Sequence, residues 1–506
     1  MKQALLGVDI GATGIKVGAF TTTGHMLACA GRRNGPVQQP DGDASWMMWD
    51  ADDIWRKVTE ACKEVVAKLG SGFEVKSVAC TGFGADGIPL DRNGTPLYPF
   101  ISWHCSRTAL QSRQLADEIG NDAIFQITGY HNYAINTVNR FRWLSQNRAD
   151  VLEKAHAWLQ LQDYIAYRFS RSFSTECTIA STTMMLDMGA RTWSEKMLQA
   201  GCVPKSLLPT IHEAGTEIGV VTREAAEQTG LPVGIPVVTG GHDCEIAVLG
   251  AGVNRKDVLI DITGTWEILI ALVDQFAPKP EHYAHGLDFE CHAVPGKWIC
   301  QSLLIAGGVV EWIRNNFYRD CSEETVYEAM FGEAGIARAH TSLVLPSFMP
   351  GMGPGAQSHA LGTILGITTT TTRGQIVRGT LEGLCHQLRQ QTEALESVIG
   401  QSAVALRVVG GGQKNPLWLQ MKADATNLPV EITSHPEVTL LGVALLAGVG
   451  AGIYRDIEDA LAQVNTQTTT FEPETEGHAR FEERYQSVYR NIVPSLAGVY
   501  CHMDSM

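Results

Sequence analysis

The 506-residue chain has no Cys-x-x-Cys pair among its 12 cysteines. Zinc ribbons and thioredoxin-type redox motifs are therefore excluded. Single thiols scattered through a long chain read as reduced core residues of a cytoplasmic protein. No Gly-x-x-x-x-Gly-Lys-Ser/Thr occurs, and no Gly-x-Gly-x-x-Gly follows the first predicted strand, so neither a P-loop nor the usual dinucleotide fold is expected. Basic runs are missing as well. The 39 Lys+Arg against 54 Asp+Glu give a formal charge of −15, a sign that repels nucleic acid. The longest apolar run, residues 440–454, is rich in glycine and shorter than the ~20 residues of a membrane span. Met1-Lys2-Gln3 leads straight into a strand carrying Asp9, without the apolar core and small-residue cleavage site of a secretory signal. The expectation is a cytoplasmic protein without a nucleic-acid or membrane partner.

What is present is apolar residues, at 44%, and 51 glycines. At ~100–200 residues per domain the length suits two or three domains. Residues 4–9 and 15–20 read as strands joined by a Gly/Thr turn. Trp55, Val58, Cys62, Val65 and Leu69 recur at helical spacing behind the acidic start 50–53. Residues 75–81 form a strand, and 231–238 form a turn and a buried strand ending at Gly240-Gly241-His242-Asp243. Val377, Leu381, Leu384, Leu388 and Leu395 share one face of a long helix. Residues 406–409 form a strand ending in Gly410-Gly411-Gly412. Phe481, Tyr485, Val488 and Ile492 mark a last amphipathic helix. Strands alternating with helices give an α/β class.

One segment is echoed. Val8-Asp9-Ile10-Gly11-Ala12-Thr13-Gly14 returns as Ile260-Asp261-Ile262-Thr263-Gly264-Thr265-Trp266: an apolar strand, an Asp, a Gly/Thr turn and a second strand. This predicts a duplicated domain, 1–250 and 251–506. Facing Gly/Thr turns suit a nucleoside triphosphate, because glycine lets the backbone approach phosphates and its N–H donates to them. Asp9 at a strand end can hold Mg²⁺ through water, and Lys16 on the returning strand can supply positive charge.

Four motifs occur in order: residues Asp9 to Lys16, Gly240-Gly241-His242-Asp243, Asp261-Ile262-Thr263-Gly264-Thr265, and Val409-Gly410-Gly411-Gly412-Gln413-Lys414-Asn415. With Asp163-Tyr164, Gly379, Glu382-Gly383 and Leu441-Gly442, they resemble the FGGY carbohydrate kinases along the whole chain. The resemblance implies two actin-like (hexokinase/Hsp70-type, ribonuclease H-like) domains flanking a cleft, with ATP and Mg²⁺ as cofactors. It makes Asp243 the catalytic base and, with Asp9, a metal ligand. It assigns Gly11, Thr13, Lys16, Gly264 and Thr265 to the phosphates, Gly411, Gly412 and Asn415 to the adenosine side, and Gly307, with Gly308, to the nucleotide wall.

Substrate choice is expected in the first half. Asp86 in Thr81-Gly82-Phe83-Gly84-Ala85-Asp86-Gly87 would accept sugar hydroxyls, Trp103 would pack on a C–H face, and Arg107 would bind hydroxyls. These segments are most similar to those of L-fuculokinases and, more loosely, L-rhamnulokinases. They depart from xylulokinases, which carry Asp where Cys105 sits. Pro350-Gly351-Met352-Gly353-Pro354-Gly355 stands where many members have a Gly-Glu-Arg loop. The reading is therefore a kinase for a terminal hydroxyl of a small ketose, with L-fuculose at O1 first. Xylulose, ribulose, erythrulose and glycerol are alternatives. A small sugar and ATP are the expected partners, and a homodimer is compatible with them. The rivals are a chaperone-like ATPase of the same fold and a sugar sensor without turnover. His282, His285, Glu290, Cys291 and His292 have metal-binding chemistry, but their spacing matches no zinc site. Residues 368–372 read as a capped helix start.

Overall fold

The computed structural model describes residues 1–40, 42–337, 341–349, 360–464 and 466–504. The glycine loop 350–355 lies outside them. Strands β1 (Lys2–Ile10), β2 (Gly14–Phe20) and β3 (Met26–Arg33) form an antiparallel meander whose inner positions are buried. Helix α1 (Ala51–Leu69) begins where the Asp50 carboxylate accepts from the amides of Asp52 and Asp53, satisfying donors that a helix start leaves open. It buries Trp55, Val58, Cys62 and Val65. β4 (Phe73–Gly82) runs parallel to β1, and β5 (Pro236–His242) parallel to β4. With Glu217–Val220 at its edge, the sheet has six strands in the order Glu217–Val220, β5, β4, β1, β2, β3.

The second half builds a related sheet. β6 (Val258–Thr263) and β7 (Trp266–Val273) form the echoed hairpin. β8 (Leu287–Cys291), β9 (Trp298–Ile305), β10 (Ala405–Gly410), β11 (Val430–Thr433) and β12 (Thr468–Phe471) complete seven strands in the order β8, β9, β7, β6, β10, β11, β12. In the first sheet Ile10, Gly82 and His242 are neighbours at the ends of parallel strands, and in the second Thr263 lies beside Gly410. Each sheet thus collects its Gly/Thr turn at one edge, where ligands of open α/β sheets bind.

Helices α2 (Asp243–Gly250), α3 (Gly307–Phe317), α4 (Val326–Ile336), α5 (Arg373–Ile399), α6 (Pro416–Thr426) and α7 (Val438–Gly450) frame these edges. α7 belongs to the second half in sequence but covers the first sheet. Ser77 Oγ donates to the Ala447 carbonyl at 2.7 Å, and Leu5 and Phe20 share a core with Leu440, Leu441 and Ala444. α7 crosses α2 backbone to backbone: a methyl group on Gly442 would stand 2.1 Å from the Ile246 carbonyl.

The turn expected within 231–238 runs through Gly234 at φ 83° and feeds the strand from Pro236. One expectation shifts. The last helix is interrupted by a π-turn at Tyr485–Tyr489, so Tyr485 and Tyr489 face inward while Val488 is 43% exposed. The wider turn rotates the following residues out of the 3.6-residue phase from which Val488 was placed inside.

Candidate active site

Asp9 stands next to last in β1, and Asp243 opens α2 directly after β5. The register of β1, β4 and β5 brings both carboxylates to one edge of the first sheet. Burial pushes the Asp9 carboxyl up to about 8; the negative charge of Asp243 adds to this, Lys16 opposes it and Glu437 adds again. A buried carboxylate beside a second one makes a pair of hard oxygen donors, and this chemistry fits Mg²⁺. Lys16 lies opposite Asp9 in the hairpin, but its ammonium is held by both Glu437 oxygens at 2.8 Å. In this arrangement Glu437, just ahead of α7, takes the charge expected at a phosphate. Gly11 turns the chain, its amide donating to the Gly14 carbonyl at 3.0 Å, and Thr13 is exposed at the tip.

Asp243 has its own surroundings. Cys244 Sγ donates to its Oδ1 at 3.3 Å, and His242 Nε2 lies 3.5 Å from the same oxygen. The His242 amide donates to Thr178 Oγ1 at 2.8 Å, and its Nδ1 pairs with Glu290 Oε2 at 2.8 Å. Burial alone would lower the His242 imidazole, but the Glu290 carboxylate overrides it and the group sits at about 9.

The expected sugar residues are placed differently from one another. Asp86 is 0% exposed. Its carboxylate is taken by Arg140 Nη2 at 2.6 Å, the Trp49 indole N–H and the Trp103 amide at 3.0 Å. It therefore fixes the segment that carries Trp103 rather than facing the cleft itself. Burial raises its carboxyl, and Arg140 pulls the other way. Ala85, beside it, holds φ 68°. Its carbonyl accepts from Arg140 Nη1 and Thr137 Oγ1, each at 2.7 Å, an anchored strain of a kind that collects at ligand sites. Trp103 is half-buried and stacked on the exposed His104, 3.7 Å between centroids. Arg107 sits apart in an aromatic cage, 4.1 Å above Trp46 and 5.3 Å from Trp143, donating to the Tyr98 hydroxyl at 3.1 Å.

In the second half Gly264, Thr265, Gly307, Gly411, Gly412 and Asn415 all line one cavity of about 760 Å³, within the range of cofactor pockets. Its wall adds Val310, Tyr327, Phe331, Pro416 and Trp418. Gly307 is required by close approach, since a methyl group there would stand 2.3 Å from the Gly264 carbonyl. Gly308 donates its amide to the Thr265 carbonyl at 3.0 Å. Asn415 caps α6, its Oδ1 accepting from the Trp418 amide at 3.2 Å. Its Nδ2 and the Trp418 indole N–H are buried without a partner among the described residues. A largely apolar wall with two buried donors fits a nucleoside, whose base and ribose offer acceptors.

Several residues carried no signal in the sequence. Lys422, on α6, is fully buried against Asp261, Glu267 at 2.6 Å and Thr263 Oγ1 at 2.7 Å. Burial would lower its ammonium, yet the two carboxylates hold it above its ordinary value. Arg140, Trp49 and Glu437 are isolated in sequence from the residues they hold. Of the metal-like group, Glu290 binds His242, Tyr130 and Gln301, and His292 pairs with Glu245 at 2.6 Å. His282 accepts from the Lys279 amide at 3.2 Å. These are hydrogen-bond partners, not ligands converging on one point. Thr372 caps α5 reciprocally with Gln375, as residues 368–372 predict.

The family model "FGGY family of carbohydrate kinases, N-terminal domain" matches residues 4–250, and its C-terminal counterpart matches 261–451. The chain is 33% identical to L-fuculokinase of Escherichia coli K12, covering 94% of this chain and 98% of that protein. It is 26% identical to autoinducer-2 kinase of Klebsiella pneumoniae, covering 96% and 93%. A xylulose kinase structure from Rhodospirillum rubrum superposes with TM-score 0.87 at 21% identity over 98% of this chain and 99% of that one. Plasmodium falciparum glycerol kinase with ADP gives 0.85 at 22%, over 97% and 98%. These last two likenesses establish the actin-like two-domain fold. No helix among the described residues is long and apolar enough to cross a membrane.

Proposed function

The chain belongs to the FGGY family of carbohydrate kinases, ATP-dependent sugar phosphotransferases, and on that premise we propose L-fuculose, phosphorylated at O1, as its substrate. The observation that carries the choice of sugar is the 33% likeness to an L-fuculokinase over nearly the full length of both chains.

ATP lies in the 760 Å³ cavity with its base against Tyr327, Phe331 and Trp418, and with its phosphates leading past Gly264 and Thr265 toward the first sheet. Asn415 Nδ2 and the Trp418 N–H donate to the nucleoside. Asp243 accepts the proton of the sugar hydroxyl as that oxygen forms its bond to the γ-phosphorus. The bond from phosphorus to the β,γ-bridging oxygen breaks, and ADP leaves. Mg²⁺ would be held by Asp9 and Asp243 and would supply neutralising charge to the phosphates. Trp103, fixed by Asp86, packs on the C–H face of the sugar, and approach of the two halves excludes water. We place the reaction in the cytoplasm and the division of the chain near residue 250.

The test is ADP release with Mg·ATP across L-fuculose, L-rhamnulose, both xyluloses, both ribuloses, erythrulose and glycerol. L-fuculose should give the highest kcat/KM; a higher value for any other member replaces it. Asp243→Asn should lower kcat by about 10²–10⁴-fold, the usual worth of a general base, with ATP affinity preserved. Near-normal turnover in that variant removes Asp243 from the role.

A further inference from the structure

β8 faces the first half of the chain with alternate residues, as a strand must. Asp288 accepts from the His131 amide at 2.8 Å and from the Tyr133 hydroxyl at 3.0 Å. Glu290 meets the Tyr130 hydroxyl and His242 Nδ1. His292, just past the strand end, meets Glu245. The two outer rungs read as a seam between the halves. The middle rung differs, because its His242 directly precedes Asp243 and turns its other ring nitrogen toward the Asp243 carboxylate, at 3.5 Å.

Glu290 is 0% exposed and has no Lys or Arg partner among the described residues; its three donors there are a phenol, an amide and an imidazole. A buried carboxylate costs more than an apolar residue of the same size would, so packing alone does not account for it. The fixed points around it are chosen for orientation. The His242 amide is pinned by Thr178 Oγ1, which donates in turn to Glu176 Oε1 at 2.7 Å. With the backbone held on one side and Nδ1 on the other, the ring has one orientation, in which Nε2 faces Asp243.

We infer that Glu290 is a positioning residue for the base: lent by the second half of the chain, it fixes the His242 ring against Asp243 and ties the orientation of that carboxylate to the approach of the two halves. The 3.5 Å separation exceeds hydrogen-bond length and shortens as the cleft closes on substrate, as catalytic hydrogen bonds commonly do. His242 Nε2–H then donates to Asp243 Oδ1, leaving Oδ2 to face the sugar hydroxyl. This inference rests on the kinase reading, with Asp243 as base.

The experiment measures kcat and both KM values for Glu290→Gln, Glu290→Ala, His242→Gln, the double variant Glu290→Gln/His242→Gln, Asp288→Asn and Asp243→Asn. Glu290→Ala and His242→Gln should each lower kcat ten- to hundredfold, with KM for ATP within twofold. Glu290→Gln, which keeps an acceptor for Nδ1–H, should recover part of that loss. The double variant should be no slower than His242→Gln alone, since both act through one ring. Asp288→Asn loosens the same seam and should leave kcat within twofold. Unchanged kcat in Glu290→Ala, a loss confined to KM, full additivity in the double variant, or an equal loss in Asp288→Asn would each overturn the positioning role. If Glu290→Ala does not fold, Glu290→Gln and His242→Gln decide the matter. Normal turnover in Asp243→Asn would instead overturn the reading on which the inference rests.

Discussion

Asp9 and Asp261 hold the same place in two copies of one hairpin, and their surroundings diverge. Asp261 is sealed from water and neutralised from within: Lys422 reaches it from α6, with Glu267 and Thr263 completing the cluster. Asp9 is partly buried at a strand end near a second carboxylate, and the nearby ammonium, Lys16, is drawn away to Glu437. A carboxylate supplied with its own cation holds a sheet together. One left short of a cation is available to a ligand that brings one. With Asp9 as the proposed metal ligand, the duplicated fold separates structural from chemical duty by where it places a lysine, not by changing the aspartate.

Removing that lysine should have the largest effect. Lys422→Met leaves Asp261 and Glu267 buried without a cation and should cost about 3–5 kcal/mol, read as a fall in Tm; an unchanged Tm would break the contrast. Asp9→Asn should do the reverse, lowering kcat by about 10²-fold while ligand-free stability rises at pH 8. The folded Asp9 carboxyl sits at about 8 against an ordinary 3.8. Its contribution to stability is therefore full below pH 4 and lost as pH climbs through 8. The gain from Asn should appear at pH 8 and vanish by pH 4, and a melting series between those limits checks it. Gly307→Ala forces a methyl group into the Gly264 carbonyl. It should cost about 1–3 kcal/mol of packing or nucleotide affinity, measured by ATP titration. Gly14→Ala in the first hairpin meets only the Arg32 carbonyl at 3.5 Å and should be silent in the same titration. Lys16→Met should matter least for folding, at about 1 kcal/mol or less for a half-exposed pair. A larger loss in denaturant melts would mean that Glu437 needs Lys16 as Asp261 needs Lys422.

Much of this was legible in the sequence where the signal is local. The hairpin echo, the acidic cap at Asp50 and the apolar face of α5 each depend on residues a few positions apart. Of the glycines that line the large cavity of the second half, Gly307 and Gly412 have no room for a side chain, whereas Gly264 and Gly411 do. Contacts between distant segments left no such trace. Nothing near Asp86 predicts that Arg140 and Trp49 will close over it, and nothing near Arg107 predicts the rings of Trp46 and Trp143. The run of Glu290, Cys291 and His292 did stand out, but composition could not distinguish metal ligands from one side of a seam, because the partners Tyr130, His242 and Glu245 lie elsewhere in the chain. The π-turn at Tyr485–Tyr489 shows the converse: a local pattern gave the right element with the wrong inward residue.

The route of α7 has a consequence for how the protein is made. Leu5 and Phe20 emerge early in synthesis, while the residues that cover them, Leu440, Leu441 and Ala444, emerge more than four hundred residues later. Throughout that interval one face of the first sheet is bare on the nascent chain, an invitation to aggregation. A stop codon anywhere ahead of α7 would thus release not a shortened enzyme with one working half but a sticky fragment, fit for chaperones and proteases.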